Sequence, residues 1–416
     1  RLFFLISQRL MTRVSLRQQR GFTMAYQSGF GLPANVLFDT ERARRLFSKK
    51  WFFAGTRGDV PRPRDYFTFE IFNDDLMLVH GSDGKIRCFV NRCAHQSAKI
   101  LKSNTGTSSA SLVCPNHQWS YSIDSGALRG AAIMGADFIK SDLGSSSALH
   151  SLPVREVAGL LFVCLGEQAD DSDMTEIESI LGPYIDDFGL AKGGYKLAHH
   201  YREIVPANWL QVMVNNRECF HCQLNHKGLL NLFDPSSFNA MSSPGYEALF
   251  AAAVQRWESL DLPWKEQAFN LNDSCRVARY PLKDGFKSIT FDGQYASKKL
   301  IGGWQDYDAS TLSIWLNPNA WVHFVSDHIA TNWVLPIDEK TSMMYSSWIV
   351  HEDAVEGEDY DLDHLTEVWR VTNAEDVHLC NSMTRGAMSS YYKPGPFADA
   401  EQFCKQFCDW YMKYSG

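Results

Sequence analysis

Residues 91–121 read NRCAHQSAKILKSNTGTSSASLVCPNHQWSY and hold two Cys/His pairs, Cys93 with His95 and Cys114 with His117, separated by 18 residues. Two soft sulfurs and two imidazoles on neighbouring loops suggest a metal. The surroundings set those loops in a frame. From Trp51 to about Leu165 the chain runs in short alternating or apolar stretches: YFTFEIF, LMLVHG, IRCFVN, SLVCP and LPVREVAGLLFVCLG. Gly, Asp, Asn and Ser clusters punctuate them, as expected for a small all-β unit.

Outside this unit the pattern changes. LFDTERARRLFSKKWFFAG predicts a short amphipathic helix capped by Thr40, with Ala43, Leu46 and Phe47 on its buried side. The acidic stretch EQADDSDMTE reads as a linker. After it, REIVPANWLQVMVNNRECFHCQLNHKGLLNLF passes from a strand into a helical stretch. Residues 276–350 carry further β-like runs, KSITFDG among them, and the end is helical. An all-β unit followed by helix, sheet and helix argues for an α+β protein of two domains. The expected division is a tail over 1–38, a helix over 39–50 belonging to the second domain, a first domain over 51–167 and a second over 168–416.

Composition limits the function classes. The 416 residues are 45% apolar with a net charge of −8, enough for sizeable cores and without the basic balance of a nucleic-acid binder. No run of 18 apolar residues occurs, so no membrane span is expected. The 10 cysteines are scattered rather than framed as disulfides, which fits reduced thiols in a cytoplasmic setting. The first 38 residues lack Asp and Glu but carry Arg1, Arg9, Arg13, Arg17 and Arg20. That is the composition of an organellar transit peptide; equally, it is upstream sequence if Met11 or Met24 is the start.

Zinc is one reading of the four ligands. Finger sites, however, usually put both cysteines in one pair and both histidines in the other. A Rieske [2Fe–2S] cluster asks for one Cys and one His from each loop, two thiolates on one iron and two imidazoles on the other. An electron-transfer cluster needs an acceptor, and NWLQVMVNNRECFHCQLNH offers Glu218, His221 and His226. On a regular helix His221 and His226 would stand about 140° apart, so both meet one ion only if the helix distorts or ends between them. A mononuclear Fe(II) site takes two His and one carboxylate and leaves a face open for O2. WRVTNAEDVHLC supplies Glu375 and Asp376 as candidates on a late helix.

Taken together, the Cys/His loops, CPNHQWSYSIDSGALRG after them, Asn208–Trp209 and the E-C-F-H-C…H run at 218–226 resemble the Rieske non-haem iron oxygenases (alpha subunits). The loops lack the extra disulfide cysteines of respiratory Rieske proteins. The resemblance implies a Rieske domain plus a catalytic domain with an antiparallel sheet gripping a helix, of the START-like kind. It further implies His221, His226 and Asp376 as iron ligands, and Glu218 as the carboxylate joining the cluster of one subunit to the iron of its neighbour in a homotrimer. Three residues before His221, Glu218 would lie on nearly the same helical face. Cys219 and Cys222 read as buried packing.

YPLKDGFKSITFDGQYASKKLIGG, SIWLNPNAWVHFVSDH and RGAMSSYYKPGPFADAEQFCKQFCDWY look like the glycine betaine, stachydrine and carnitine or choline branch. Members of that branch oxidise a carbon beside a quaternary nitrogen, often as an N-demethylation. Aromatic faces attract such cations. Trp304, Trp315, Trp321, Phe324 and Tyr295 are the candidates for the pocket wall. The chain departs from the family at Gln96–Ser97, Asn116, Gln118, Leu210 and Val214. No G-x-G-x-x-G follows a strand, so NAD(P)H would act through a separate flavin- or ferredoxin-type reductase. Two alternatives remain: aromatic-ring hydroxylation at the same centres, and an electron carrier without catalysis.

Overall fold

The computed structural model describes residues 25–135, 137–167, 169, 171–233, 244–265, 274–307 and 310–416. The Arg-rich stretch read as transit-like falls outside this set. Residues 30–38, expected as tail, are part of the fold. Phe30 bridges Pro396, a short helix spans Ala34–Leu37, and Leu32, Val36 and Leu37 are buried in the main core. The next helix, Thr40–Lys49, is capped by Asp39 and not by Thr40: the Asp39 side chain accepts from the backbone N–H of Arg42.

The all-β part contains a 5-stranded sheet, in which Asp65–Ile71, Asp74–His80 and Ile86–Val90 are central, and a 3-stranded sheet of Ser111–Val113, Ser120–Ser122 and Leu128–Gly130. Cys93 and Cys114 are buried in their own hydrophobic cluster with Tyr121, Phe89 and Met77. Another 3-stranded sheet joins Phe52–Thr56 to Leu160–Val163 and Val154–Val157. This sheet faces the second half of the chain. Asn319 clamps the backbone of Phe53 with two hydrogen bonds, and the Phe53 ring meets Trp333 at 6.0 Å.

The second half is built on a 6-stranded antiparallel sheet. Its strands, in spatial order, are Tyr195–Val205, Ser342–His351, Ile329–Pro336, Ala320–Phe324, Thr311–Leu316 and Cys275–Tyr280. Five of these are buried along nearly their whole length, as a sheet covered on both faces requires. The 26-residue helix Leu362–Ala387, capped by Asp361, lies against one face. Its Asn373 donates to Asn332, and its Trp369 stacks on His323 at 4.1 Å. The expected strand KSITFDG is irregular backbone instead. Gly293 takes a positive φ there, and Asp292 holds the turn by accepting from Thr290 and Gln294. The acidic linker likewise turns helical from Ser172. Buried Lys50 and Asp173 pair at 2.8 Å and tie that helix to the end of Thr40–Lys49. Among the described residues, no helix is long and apolar enough to cross a membrane.

Candidate metal centres and active-site cavity

The two Cys/His loops are near copies of each other. In each, a backbone N–H four residues on returns to the Cys carbonyl: Ser97 to Cys93 and Gln118 to Cys114. Both Ser97 and Gln118 sit at positive φ, 58° and 59°. Such angles favour glycine. The departures at these positions therefore place side chains on strained backbone. The loops bring the His95 and His117 rings to 4.7 Å between centroids. The Cys93 sulfur lies 3.1 Å from the Tyr121 hydroxyl. His95 stacks on Trp119 at 4.9 Å, while its Nδ1 is buried with no hydrogen-bond partner. An orphaned imidazole nitrogen beside a second imidazole and two buried sulfurs fits a metal cluster, since a buried polar atom left alone is costly.

The second site assembles from two distant segments. Asn208 starts it: buried, it caps helix Trp209–Asn215 and donates to the carbonyls of Leu37 and Glu339. That helix ends at Asn215. Glu218 then lies on irregular loop backbone rather than on a helix. It nevertheless reaches His221, whose Nδ1 is 2.5 Å from its Oε1. His221 precedes the short helix Cys222–Asn225 and His226 follows it. Ending the helix between the two histidines is what brings both rings to one point. The opposite nitrogens converge on Asp376: its Oδ1 is 3.3 Å from His221 Nε2 and 3.0 Å from His226 Nε2.

Glu375, weighed in the sequence as an alternative ligand, plays a different part. Its Oε2 lies 2.7 Å from His226 Nδ1, the counterpart of Glu218 on His221. Asn215 donates to Asp376 Oδ1 at 2.8 Å. Both imidazoles are thus fixed from behind by carboxylates, leaving Nε2 forward, the arrangement of oriented metal ligands. Electrostatics agree. Burial pushes His221 down, but its bonds to Asp376 and Glu218 override that and carry its pKa up to about 9. Burial pushes Asp376 up, but the two histidines hold its pKa below the usual carboxylate range. Two imidazoles and three carboxylates form a pocket that calls for positive charge, and its donor set suits Fe(II).

Cys219 and Cys222 are not free thiols. They form a disulfide with Cα atoms 5.0 Å apart, because one turn of chain brings residues three apart within bridging range. The Cys222 sulfur lies near His221 and His226, all three donor atoms within 4.8 Å of one another. As a disulfide sulfur it lacks the thiolate charge a ligand needs.

These groups open into a cavity of about 650 Å³ of atom-free space, mouth included. Its wall also carries Trp315, Trp321, His323 and Arg276 from the sheet and Trp369 from the long helix. Three expected wall residues are elsewhere. Phe324 follows His323 by one position, so strand alternation turns it to the opposite face, where it meets Phe188 at 5.0 Å. Trp304 packs on the same Phe188 at 5.5 Å. Tyr295 is half-exposed and stacks on Tyr307. His323, Arg276 and Trp369 went unrecognised in the sequence: strand register puts Arg276 opposite Trp315, His323 shares the face of Trp321 two residues earlier, and Trp369 arrives from the helix by stacking on His323.

A Rieske [2Fe–2S] domain model matches residues 50–141, and a model for the ring hydroxylating alpha subunit (catalytic domain) matches residues 189–416. The glycine betaine monooxygenase oxygenase subunit of Pseudomonas aeruginosa is 34% identical over 380 residues, 89% of this chain and 84% of that protein. Its counterpart in Chromohalobacter salexigens is 34% identical over 413 residues, 98% of this chain and 89% of that protein. A solved quaternary ammonium Rieske monooxygenase, described for carnitine oxidation by gut microbiota and inter-subunit electron transfer, superposes with a TM-score of 0.69. It is 20% identical, with 94% of this chain and 96% of that one covered. With its cluster loops and its histidine–carboxylate centre, the chain belongs to the ring-hydroxylating alpha-subunit family of Rieske non-haem iron oxygenases.

Proposed function

We propose that the chain hydroxylates an N-methyl carbon of a small quaternary ammonium compound of the glycine betaine kind, which then loses that carbon as formaldehyde. The observation that carries this reading is a cavity with the His221–His226–Asp376 centre at one end and Trp315 and Trp321 beside it. Indole faces attract a trimethylammonium group, which has no N–H to satisfy. A purely apolar slot would favour aromatic-ring hydroxylation; this cavity also carries arginines and carboxylates. A bare electron carrier would have no use for the second centre.

In this reading Cys93, Cys114, His95 and His117 hold the cluster, and His221, His226 and Asp376 hold the iron. When bound, the cluster supplies electrons and the iron supplies the O2 chemistry. The chain's own groups do the rest. Glu218 and Glu375 keep each imidazole's Nδ1 protonated, so that Nε2 presents its lone pair. The tryptophans hold the cationic head so that one methyl points towards the ligand set. By stoichiometry one O2, two electrons and two protons give the hydroxymethyl product and water. The C–N bond then breaks, its electron pair returns to nitrogen, and the hydroxyl proton leaves as formaldehyde forms. A separate reductase delivers the electrons. Two centres set in different halves of the chain suit a homotrimer in which Glu218 meets His117 of the partner subunit.

The test is O2 uptake with a generic reductase across glycine betaine, carnitine, choline, stachydrine and simple aromatics, with formaldehyde assayed alongside. Uptake matched by formaldehyde on a quaternary ammonium compound is the expected result. Uptake on aromatics alone would overturn the reading.

A further inference from the structure

The Arg276 guanidinium lines the same cavity as the iron ligands, although the residue is only 7% exposed. It is held in a fixed pose: its carbon stands 4.2 Å over the Trp315 ring and 3.8 Å over the Phe403 ring, and it donates to the Tyr280 hydroxyl at 2.7 Å. A guanidinium pre-oriented between rings loses little freedom when it binds an anion, and its fork matches a carboxylate.

Strand pairing fixes where this cation lies relative to the iron site. Arg276 is opposite Trp315, Trp315 is opposite Trp321, and Trp321 is opposite Asn332. Adjacent strands are about 4.8 Å apart, so this row crosses about 14 Å of sheet. At its far end Asn332 accepts from Asn373, which stands one helical turn before Asp376. Along this row the cavity therefore has a cationic end at Arg276, indole faces in the middle, and the Asp376 carboxylate at the other end. That order of charge is complementary to a zwitterion.

Resting on the function proposed above, we propose that Arg276 is the residue that binds the substrate's carboxylate and so selects betaines over choline. The carboxylate seats on Arg276, the trimethylammonium group lies against Trp321 and Trp315, and a methyl group faces His221, His226 and Asp376. Choline carries a neutral hydroxyl where betaine carries the carboxylate and gains nothing from Arg276. Arg217 is the other cation on the cavity wall. It donates to Asn317 and Asn216 at 2.8 Å and 3.2 Å, its Nε is buried without a partner, and burial pushes its pKa down to about 9, so it serves as the comparison for Arg276.

The experiment is equilibrium binding by calorimetry to the metal-loaded protein, with three ligands. These are glycine betaine, choline, and 3,3-dimethylbutanoate, the carbon isostere that keeps the carboxylate but lacks the ammonium charge. Arg276→Gln should weaken glycine betaine and the isostere by about 100-fold and leave choline within about 2-fold. Arg276→Lys, which keeps the charge but loses the fork, should fall between and serves if the Gln variant does not fold. Unchanged choline binding and an unchanged cluster spectrum report the fold. In turnover the loss should appear in KM more than in kcat. Glycine betaine binding equally well to wild type and Arg276→Gln overturns the assignment while leaving the proposed function standing, as does loss of the discrimination in Arg217→Gln instead. Arg276-dependent binding of the isostere, with neither ammonium compound bound, upholds Arg276 as a carboxylate site and overturns the quaternary ammonium reading. Failure of every carboxylate to bind wild type overturns the Arg276 assignment.

Discussion

The two candidate metal centres are built by opposite means. The Cys/His loops draw all four candidate ligands from residues 93–117 and shape themselves by local backbone turns, the pair Ser97→Cys93 and Gln118→Cys114. The proposed iron site draws two candidate ligands from 221–226 and the third from a helix 150 residues later in the chain, and carboxylates rather than backbone orient it. A locally built site is sensitive to backbone strain. A site assembled from distant segments is sensitive to the hydrogen bonds behind its ligands.

That contrast can be broken at each centre. The largest effect is expected at Glu218→Gln. The substitution keeps the size, removes the charge and puts an N–H donor where His221 Nδ1 now finds an acceptor. Turnover should fall about 100-fold with iron and cluster both retained. Stopped-flow reduction would then show the cluster filling with electrons that turnover does not drain. Turnover near wild type would mean that Glu218 is structural only. Glu375→Gln should act more mildly, because the carboxylate is partly exposed. A drop of about 10-fold in iron affinity, read by chelator competition, is expected, with the cluster signal unmoved. If affinity does not change, orientation of His226 does not depend on Glu375.

The smallest effect lies in the cluster loops. Gln118→Gly relieves a residue at φ 59° that is exposed to solvent. It should raise stability by about 1 kcal/mol, measured by denaturant unfolding of the cluster-loaded protein. No gain, or a loss, would show that the glutamine side chain compensates for its backbone.

The same contrast explains what the sequence revealed. Cys93, His95, Cys114 and His117 are legible as candidate ligands because their spacing alone groups them. His221 and His226 are legible as a pair, but the break in the helix that unites them is a tertiary outcome. Glu375 and Asp376 are adjacent, and only the rotation of the long helix decides that Asp376 faces both Nε2 atoms while Glu375 reaches one Nδ1. Trp315 and Trp321 were found as pocket residues and Phe324 misplaced for a single reason: a strand shows its two faces in alternation, and its phase is set by partners elsewhere in the chain. Arg276 was hidden likewise, since one residue either way would have put it in the opposite layer. The bridge between Cys219 and Cys222 was missed because the turn that closes it begins only where helix Trp209–Asn215 stops.

The central claim is that one chain carries two separate metal centres, with oxidation at the one held by Asp376. Metal and acid-labile sulfide analysis of wild type and Asp376→Ala, with electron paramagnetic resonance after reduction, tests it most directly. Wild type should hold about three irons and two sulfides per chain, and the variant about two irons with the same cluster signal and no turnover. Zinc in place of iron, or a folded Asp376→Ala protein that has lost its cluster signal, would contradict it.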